Sequence, residues 1–227
     1  MGALSAGLLA VRGLLLFNKY RDSTMIPRNA YIENVVYAGR TLARLDGAVV
    51  ECGTWKGGMA AALIEVGGPR KYVFFDSFEG LPPARAIDGQ AALAWQSRTD
   101  DPSYLDNCSA SREEFEATIA RAPRSGATIE VHQGYFEKTM PGLAIPPIAV
   151  LRLDGDWYDS TMTCLTHLWD AVVPGGLILV DDYHTWDGCS RAVHDFLSDR
   201  KAPERILQGR LDGVAMIRKQ APAAAGV

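Results

Sequence analysis

The sequence predicts an α/β fold built on a mostly parallel sheet with helices on both faces. Five apolar runs of strand length alternate with helical stretches, which is the order of a doubly wound domain. Most of these runs are strongly apolar, as in strands that are covered on both faces. The 227 residues, of which 48% are hydrophobic, suit one large domain with a sizeable core.

The predicted strands and helices follow one another in a regular order. The strands are Ala48–Cys52, Lys71–Asp76, Thr128–Gln133, Ile148–Leu153 and Gly176–Val180, with shorter β-rich runs at Arg205–Gln208 and Gly213–Arg218. The helices are Gly58–Val66, Ser111–Arg121, Ser160–Val172 and Ser190–Arg200. Ser111 and Glu114 have the spacing of a capping box at a helix start. Pro174, followed by two glycines, indicates a stop after the third helix.

Two segments do not fit this alternation of strands and helices. The apolar run Ala3–Phe17 is too short for a membrane span and lacks the early positive charge of a signal peptide. We expect it to form a helix within an N-terminal segment, 1–45, that packs on the domain or on a second subunit of a homodimer and contributes to a substrate lid. The main domain is expected over 46–220. It includes an insertion, Phe78–Ala110, whose length and Pro, Gly, Asp and Ser content predict a lid or binding loop.

Charge and cysteine content exclude several classes of partner. The net charge is −4 with acids and bases interspersed, so we expect neither nucleic acid nor a membrane as partner. The four cysteines form no C-x-x-C pair, which argues against zinc and predicts reduced thiols in a cytoplasmic protein.

A glycine-rich turn follows the first predicted strand, in the stretch VVECGTWKGG. Ligands of doubly wound sheets bind beside this strand end, but the spacing is not the G-x-G-x-x-G of dinucleotide enzymes. Asp76 ends the second strand, where a carboxylate accepts ribose hydroxyls, and Glu51 suits an ammonium group. A nucleoside that carries an amino acid fits this pattern. The alternative is that Gly53 and Gly57 only make a tight turn.

Four acids follow two later strands. Asp154 and Asp156 come directly after the fourth strand, and Asp181 and Asp182 come after the fifth. Because neighbouring strands lie about 4.8 Å apart, these carboxylates should meet and repel one another unless a cation sits among them. Hard oxygen ligands favour Mg²⁺, with Ca²⁺ or Mn²⁺ as substitutes. Such an ion could lower the pKa of a substrate hydroxyl, and a carboxylate could take its proton. The alternative is that the acids cap helices.

Aromatic residues and one histidine surround these two regions. His184 follows the acid pair and is a candidate auxiliary acid or base. Trp157 and Trp186 flank the acids, where they wall a substrate pocket or pack in the core. Tyr135 and Phe136 follow the third strand and are expected to border the cofactor.

Seven stretches together resemble the macrocin O-methyltransferase (TylF-type) family, whose members methylate sugar hydroxyls of natural products with S-adenosylmethionine. They occur in the family's order between Thr24 and Phe196. They are TMIPRNAYIENV, VVECGTWKGG, FFDSFEGLPP, HQGYFEKTMP, VLRLDGDWYDST, VPGGLILVDDY and CSRAVHDF.

The resemblance implies a fold, a metal site and a cofactor site. The fold is that of class I methyltransferases, a seven-stranded Rossmann-like sheet with one antiparallel strand near the end. The implied ligands of Mg²⁺ are Asp154, Asp181 and Asp182, and either Asp154 or Asp156 is the base. The residues expected at S-adenosylmethionine are Met25, Glu51, Gly53, Thr54, Gly57, Asp76, Ser77, Gly134, Phe136 and Asp154.

The expected activity is therefore methyl transfer to a hydroxyl of a deoxysugar in antibiotic biosynthesis, on a macrolide-like or aminocoumarin-like product. A second interpretation keeps the fold and replaces the sugar with a catechol or other phenol, which Trp157 and Trp186 would suit. A third, a nucleoside-binding protein without catalysis, leaves the carboxylate cluster unexplained.

Overall fold

The computed structural model describes residues 6–210 and 214–221. Seven strands form one sheet: β1 Ala48–Cys52, β2 Lys71–Asp76, β3 Thr128–Gln133, β4 Ile148–Leu153, β5 Val172–Val180, β6 Ile206–Gln208 and β7 Ala215–Arg218. Their order across the sheet is β3-β2-β1-β4-β5-β7-β6. The pairs among β1 to β5 are parallel, and β7 runs antiparallel to both β5 and β6. The predicted mostly parallel seven-stranded sheet is confirmed.

Helices cover both faces of this sheet. Their bounds are Ala6–Tyr20, Arg28–Leu42, Gly58–Gly67, Gln90–Ser97, Arg112–Ile119, Phe136–Thr139, Tyr158–Leu168 and Asp187–Asp199. The capping box at Ser111 is confirmed, because its hydroxyl accepts from the Glu114 amide at 3.1 Å while the Glu114 carboxylate accepts from the Ser111 amide at 2.9 Å.

The start of β5 differs from the prediction. The helix before it ends at Leu168 and a 3₁₀ turn follows, so the expected helix to Val172 was wrong at its C-terminal end. Val172 already pairs with Ile148 of β4, and the register shifts before Leu177 pairs with Val150. Pro174 and its glycines therefore form an irregularity inside the strand, where a missing amide donor is tolerated. At the other end of the chain, Gly213 of the last predicted run lies outside the described residues.

The two faces of β1 show how the layers form. Val49 packs in one layer with Leu16 and Val35 of the N-terminal helices, and Val50 packs in the other layer with Leu165. Successive side chains of a strand point to opposite faces, so both layers bury the same strand. Full burial of such a side chain contributes about 1.5–3 kcal/mol.

The N-terminal helices belong to this core. Tyr31 is fully buried, and its hydroxyl donates to the Gly58 carbonyl at 2.9 Å. Leu9, Leu16 and Tyr20 are buried on the inner face of the first helix. Within 6–210 and 214–221, no helix is both long enough and apolar enough to cross a membrane.

Candidate active site

Two glycines of the turn after β1 are required by the packing of the chain against itself. Gly53 has φ +82°, and a Cβ there would lie 1.8 Å from the Asp154 carbonyl oxygen. A Cβ on Gly58 would lie 2.4 Å from the Ser23 carbonyl oxygen. The first contact joins the loops after β1 and β4, and the second brings the N-terminal segment against the helix start. Close packing between separate segments of the chain therefore requires a glycine at both positions.

Asp76 holds the same turn closed. One carboxylate oxygen accepts from the amides of Thr54 at 2.6 Å and Trp55 at 2.8 Å, and the other accepts from the Phe78 amide at 2.7 Å. A carboxylate offers about four lone-pair sites, so the oxygen bonded to Phe78 keeps capacity for one more donor. The predicted contact of Asp76 with ribose hydroxyls has this oxygen available.

Two adjoining clefts open at this edge of the sheet. The first, with about 610 Å³ of empty volume, is lined by six of the predicted cofactor residues, Met25, Gly53, Asp76, Ser77, Phe136 and Asp154, together with Tyr135. The second, with about 890 Å³, includes Met25, Glu51, Thr54 and all four acids after β4 and β5. Gly57 and Gly134, also predicted at the cofactor, line neither cleft. Gly57 packs against Phe115, and the Gly134 amide donates to the Asp76 carbonyl at 2.8 Å.

The acids after β4 and β5 lie together, as their strand positions lead us to expect. Asp154, Asp156 and Asp182 each offer an oxygen within 4.8 Å of the others. The Asp156 amide donates to the Asp182 carboxylate at 3.1 Å. Asp156 itself has φ +56°, a left-handed conformation that costs a non-glycine residue on the order of 1–3 kcal/mol. Strain of this kind concentrates at functional sites.

Arg152 contacts three acids, and no pattern in the sequence predicted it as a site residue. It is 1% exposed, and its guanidinium contacts the carboxylates of Glu51 at 2.9 Å, Asp154 at 2.8 Å and Asp181 at 2.7 Å. Glu51 and Arg152 face each other in the register of β1 and β4. The one signal in the sequence was a cation inside the apolar run IAVLRL.

Arg152 pairs with Asp154 and Asp181, whereas no ion pair to Asp156 or Asp182 occurs within the described residues. Asp181, expected as a metal ligand, is paired with the guanidinium, while Asp156, expected as a candidate base, completes the three-carboxylate cluster. Glu51, expected near the cofactor, is buried in an ion pair, although its second oxygen lacks a hydrogen-bond partner.

The cluster holds more negative charge than its surroundings compensate. Burial, reinforced by the neighbouring Asp154 charge, raises the pKa of Asp156 to about 7. Burial also raises the pKa of Asp181 to about 6 and that of Glu51 to about 8, although Arg152 opposes both shifts. The pKa of Asp182 lies well above its usual range because of burial and the Asp156 charge. Hard oxygen donors short of positive charge fit a divalent cation such as Mg²⁺.

An aromatic group adjoins the cluster. Trp186 donates from Nε1 to the Asp156 carboxylate at 2.8 Å and packs edge-on against Trp157, with ring centroids 5.2 Å apart. Trp157 is buried and donates to the Pro82 carbonyl at 2.8 Å. Trp95 packs against Trp186 with ring centroids 5.8 Å apart. Of the two tryptophans predicted beside the acids, Trp186 lines the second cleft, whereas Trp157 is packed beneath it.

The predicted lid is an ordered structure. It contains the helix Gln90–Ser97, which carries Trp95, and four consecutive left-handed residues, Leu105–Cys108, with φ between +46° and +58°. Its buried Asp88 accepts from the Tyr158 amide at 2.7 Å, at the start of the helix after β4. This hydrogen bond joins the predicted lid to the helix that follows Asp154 and Asp156.

His184 lies apart from the acid cluster. Its side chain is exposed and lines a different cleft with His194 and Leu197. The structure does not bring it to the carboxylates, and the proposal below gives it no part in catalysis.

Comparison with known proteins identifies the family of this chain. A family model described as Macrocin-O-methyltransferase (TylF) matches residues 23–219. An 8-demethyl-8-(2,3-dimethoxy-alpha-L-rhamnosyl)-tetracenomycin-C 4'-O-methyltransferase of Streptomyces olivaceus is 33% identical over 172 residues, 73% of this chain and 64% of that protein. Demethyldecarbamoylnovobiocin O-methyltransferase of Streptomyces niveus is 30% identical over 175 residues, 75% of this chain and 65% of that protein. The chain thus spans slightly less than two thirds of either relative.

A solved structure extends the likeness of fold to nearly the whole chain. The structure of the O-methyltransferase NovP superposes with a TM-score of 0.69 at 21% identity, and the match covers 96% of this chain and 100% of that chain.

Proposed function

The chain belongs to the macrocin O-methyltransferase (TylF) family and has the class I methyltransferase fold, and on this premise we propose that it is an S-adenosylmethionine-dependent O-methyltransferase. Its proposed acceptor is a sugar hydroxyl of a glycosylated natural product in antibiotic biosynthesis. The name of the Streptomyces olivaceus relative describes 4'-O-methylation of a rhamnosyl-bearing tetracenomycin. The observation that carries the proposal is the cluster of Asp154, Asp156 and Asp182 beside a cleft lined by Gly53 and Asp76.

The first cleft is the proposed cofactor site. Asp76 retains a free lone pair for a ribose hydroxyl, and Met25, Ser77 and Phe136 line the same space. S-adenosylmethionine, when bound, supplies a methyl group on a sulfonium, which is already a good leaving group. The tasks left to these side chains are to bind, to orient and to exclude water.

The acid cluster is the proposed metal site. Asp154 and Asp182 belong both to the set implied by the family and to the cluster, so we assign them to the ion. The family resemblance makes Asp181 the third ligand and leaves Asp156 as a candidate base, whereas the three-carboxylate cluster of this chain contains Asp156 in place of Asp181. Mg²⁺, when bound, would supply positive charge that lowers the pKa of an acceptor hydroxyl.

Asp156 is the proposed general base. Asp154 forms an ion pair with Arg152 at 2.8 Å, whereas Asp156 accepts a hydrogen bond from Trp186. A pKa of about 7 suits a group that accepts a proton near neutral pH. Asp156 would take the proton of the acceptor hydroxyl, and S-adenosylmethionine held in the first cleft would supply the methyl group for that oxygen and leave as S-adenosylhomocysteine.

The test is an acceptor screen. Purified protein is incubated with S-adenosylmethionine, Mg²⁺ and either rhamnosylated or other deoxysugar glycosides or simple catechols, and S-adenosylhomocysteine is quantified. We expect turnover with a glycoside that falls at least 100-fold in Asp156→Asn. Turnover with catechols alone would favour the second candidate function, which the aromatic contact of Trp95 with Trp186 supports. No turnover with either class would contradict the proposal.

We also propose a cytoplasmic homodimer. The four cysteines are free, in keeping with a reducing compartment. Val11 and Leu15 of the first helix are 57% and 63% exposed, an apolar surface that a second subunit would cover. Light scattering coupled to size-exclusion chromatography tests the dimer, and a monomer at micromolar concentration would contradict it.

A further inference from the structure

The carboxylate of Asp156 is fixed by a residue outside the strand ends. Trp186 Nε1 donates to Asp156 Oδ1 at 2.8 Å, while the backbone amide of Asp156 donates to Asp182 at 3.1 Å. An indole N–H is a donor only, so this contact defines which oxygen of Asp156 is engaged and which is left for a proton from the acceptor.

Trp186 is itself held in place from the protein side. Its backbone amide donates to the Asp182 carbonyl at 3.0 Å, and its ring packs edge-on against the buried Trp157. Trp157 in turn donates to the Pro82 carbonyl in the lid at 2.8 Å. The indole therefore has a defined orientation toward Asp156 before any substrate arrives.

The lid contacts the same indole from the other side. Trp95 packs against Trp186 with ring centroids 5.8 Å apart, but its own N–H donates within the lid, to the Ser103 carbonyl at 3.1 Å. Trp95 therefore contacts Trp186 through its ring and not through its N–H. Trp95, Trp186 and Asp156 line one cleft, so an acceptor that enters it meets the lid, the indole and the carboxylate together.

We propose that Trp186 is a positioning residue that orients the Asp156 carboxylate toward the acceptor hydroxyl and connects that orientation to the lid through Trp95. The inference rests on the proposed methyl transfer and goes beyond it. The N–H of Trp186 is expected to affect the rate of the chemical step, and the ring of Trp95 is expected to affect binding of the acceptor.

The kinetic test compares two matched substitutions that each retain an aromatic ring. Trp186→Phe removes the donor to Asp156, and we expect kcat to fall 10- to 100-fold, as for a misplaced catalytic group, with acceptor KM and the Kd of S-adenosylmethionine within about twofold. Trp95→Phe removes no bond to Asp156, and we expect it to change acceptor KM while kcat stays within about twofold. Trp186→His, which keeps a ring N–H, should recover part of kcat. Equal losses in Trp186→Phe and Trp95→Phe, or an unchanged kcat in Trp186→Phe, would overturn the assignment.

A spectroscopic test decides the contact without an acceptor. The chain has five tryptophans, so ¹⁵N-indole labelling gives five N–H signals, and that of Trp186 is the one lost in Trp186→Phe. In Asp156→Asn we expect this signal to shift more than the other four, and an unmoved Trp186 signal would overturn the proposal. If no acceptor is methylated by the wild-type protein, the proposed function fails, whereas the indole signal still reports whether Trp186 is bonded to Asp156.

Discussion

The glycine turn after β1 and the carboxylate cluster after β4 and β5 lie at the same edge of the sheet, yet their polar groups are satisfied in opposite ways. In the turn, Asp76 accepts three backbone amides and Gly53 lies against a neighbouring loop. Five carboxyl groups lie in and around the cluster, those of Glu51, Asp154, Asp156, Asp181 and Asp182. The guanidinium of Arg152 contacts three of them, Glu51, Asp154 and Asp181.

The difference separates structural from ligand-dependent groups. The three backbone amides that donate to Asp76 make the turn a rigid support, whereas buried carboxyl groups without enough counter-charge favour the binding of a cation. The turn should therefore respond to substitution mainly in stability, and the cluster in its response to metal.

The largest effect should come from removing the only cation that contacts the buried acids in the described residues. Arg152→Met leaves Glu51, Asp154 and Asp181 without their counter-charge, and we expect a loss of about 3–5 kcal/mol in the free energy of unfolding, measured with urea in EDTA. Arg152→Lys, which keeps the charge but not the fork of donors, should lose less. A loss below about 1 kcal/mol in Arg152→Met would mean that the acids are neutral or solvated without it.

The next effect tests the close approach in the turn. Gly53→Ala places a methyl group 1.8 Å from the Asp154 carbonyl oxygen at positive φ, and we expect a loss of about 3 kcal/mol or more. Gly142→Ala is the matched control, because Gly142 also has positive φ, +76°, but nothing lies within 4 Å of the added methyl. That control should lose about 1–2 kcal/mol, the cost of the backbone conformation alone. Equal losses in the two variants would show that the loops can separate without cost.

A smaller effect is expected at Asp76. Asp76→Asn replaces an ionised acceptor of three amides by a neutral group with one carbonyl oxygen, so we expect a loss of about 2 kcal/mol in unfolding free energy. Calorimetry should also show weaker binding of S-adenosylhomocysteine, because the free lone pair on this carboxylate is the proposed ribose contact. Unchanged affinity, with stability reduced as expected, would leave Asp76 a purely structural residue.

The smallest effect is the stabilisation by Mg²⁺. At ten times its Kd, a bound ion should stabilise the folded protein by about 1.4 kcal/mol, seen as an increase in Tm over EDTA-treated protein. The increase should persist in Asp76→Asn and disappear in Asp182→Asn. Asp181→Asn distinguishes the two candidate ligand sets. A retained increase favours Asp156 as the third ligand, and a lost increase favours the set implied by the family.

Local patterns predicted the fold well where burial alone decides the structure. The first four strands begin and end at the predicted residues. β1 and β4 are buried along their whole length, as a continuous apolar run indicates, whereas the edge strand β3 is partly exposed. The lid helix Gln90–Ser97 was not predicted, since eight residues in a segment rich in turn formers give too short a signal.

The candidate site was predictable to the level of strand ends and no further. Strand order brings Asp154 and Asp182 together, but the pairing of Arg152 with Glu51 depends on the register of β1 against β4. The hydrogen bond from Trp186 to Asp156 joins residues 30 positions apart. It also depends on the left-handed backbone conformation of Asp156, which no residue spacing in the sequence predicts.

We propose that side-chain acids at two neighbouring strand ends hold a divalent cation beside the proposed cofactor cleft. The most direct measurement is anomalous diffraction from crystals grown with Mn²⁺ and S-adenosylhomocysteine. We predict one strong anomalous peak coordinated by Asp154 and Asp182, next to cofactor density that contacts Asp76. No peak at these carboxylates, with the Arg152 guanidinium filling the space between them, would contradict the account.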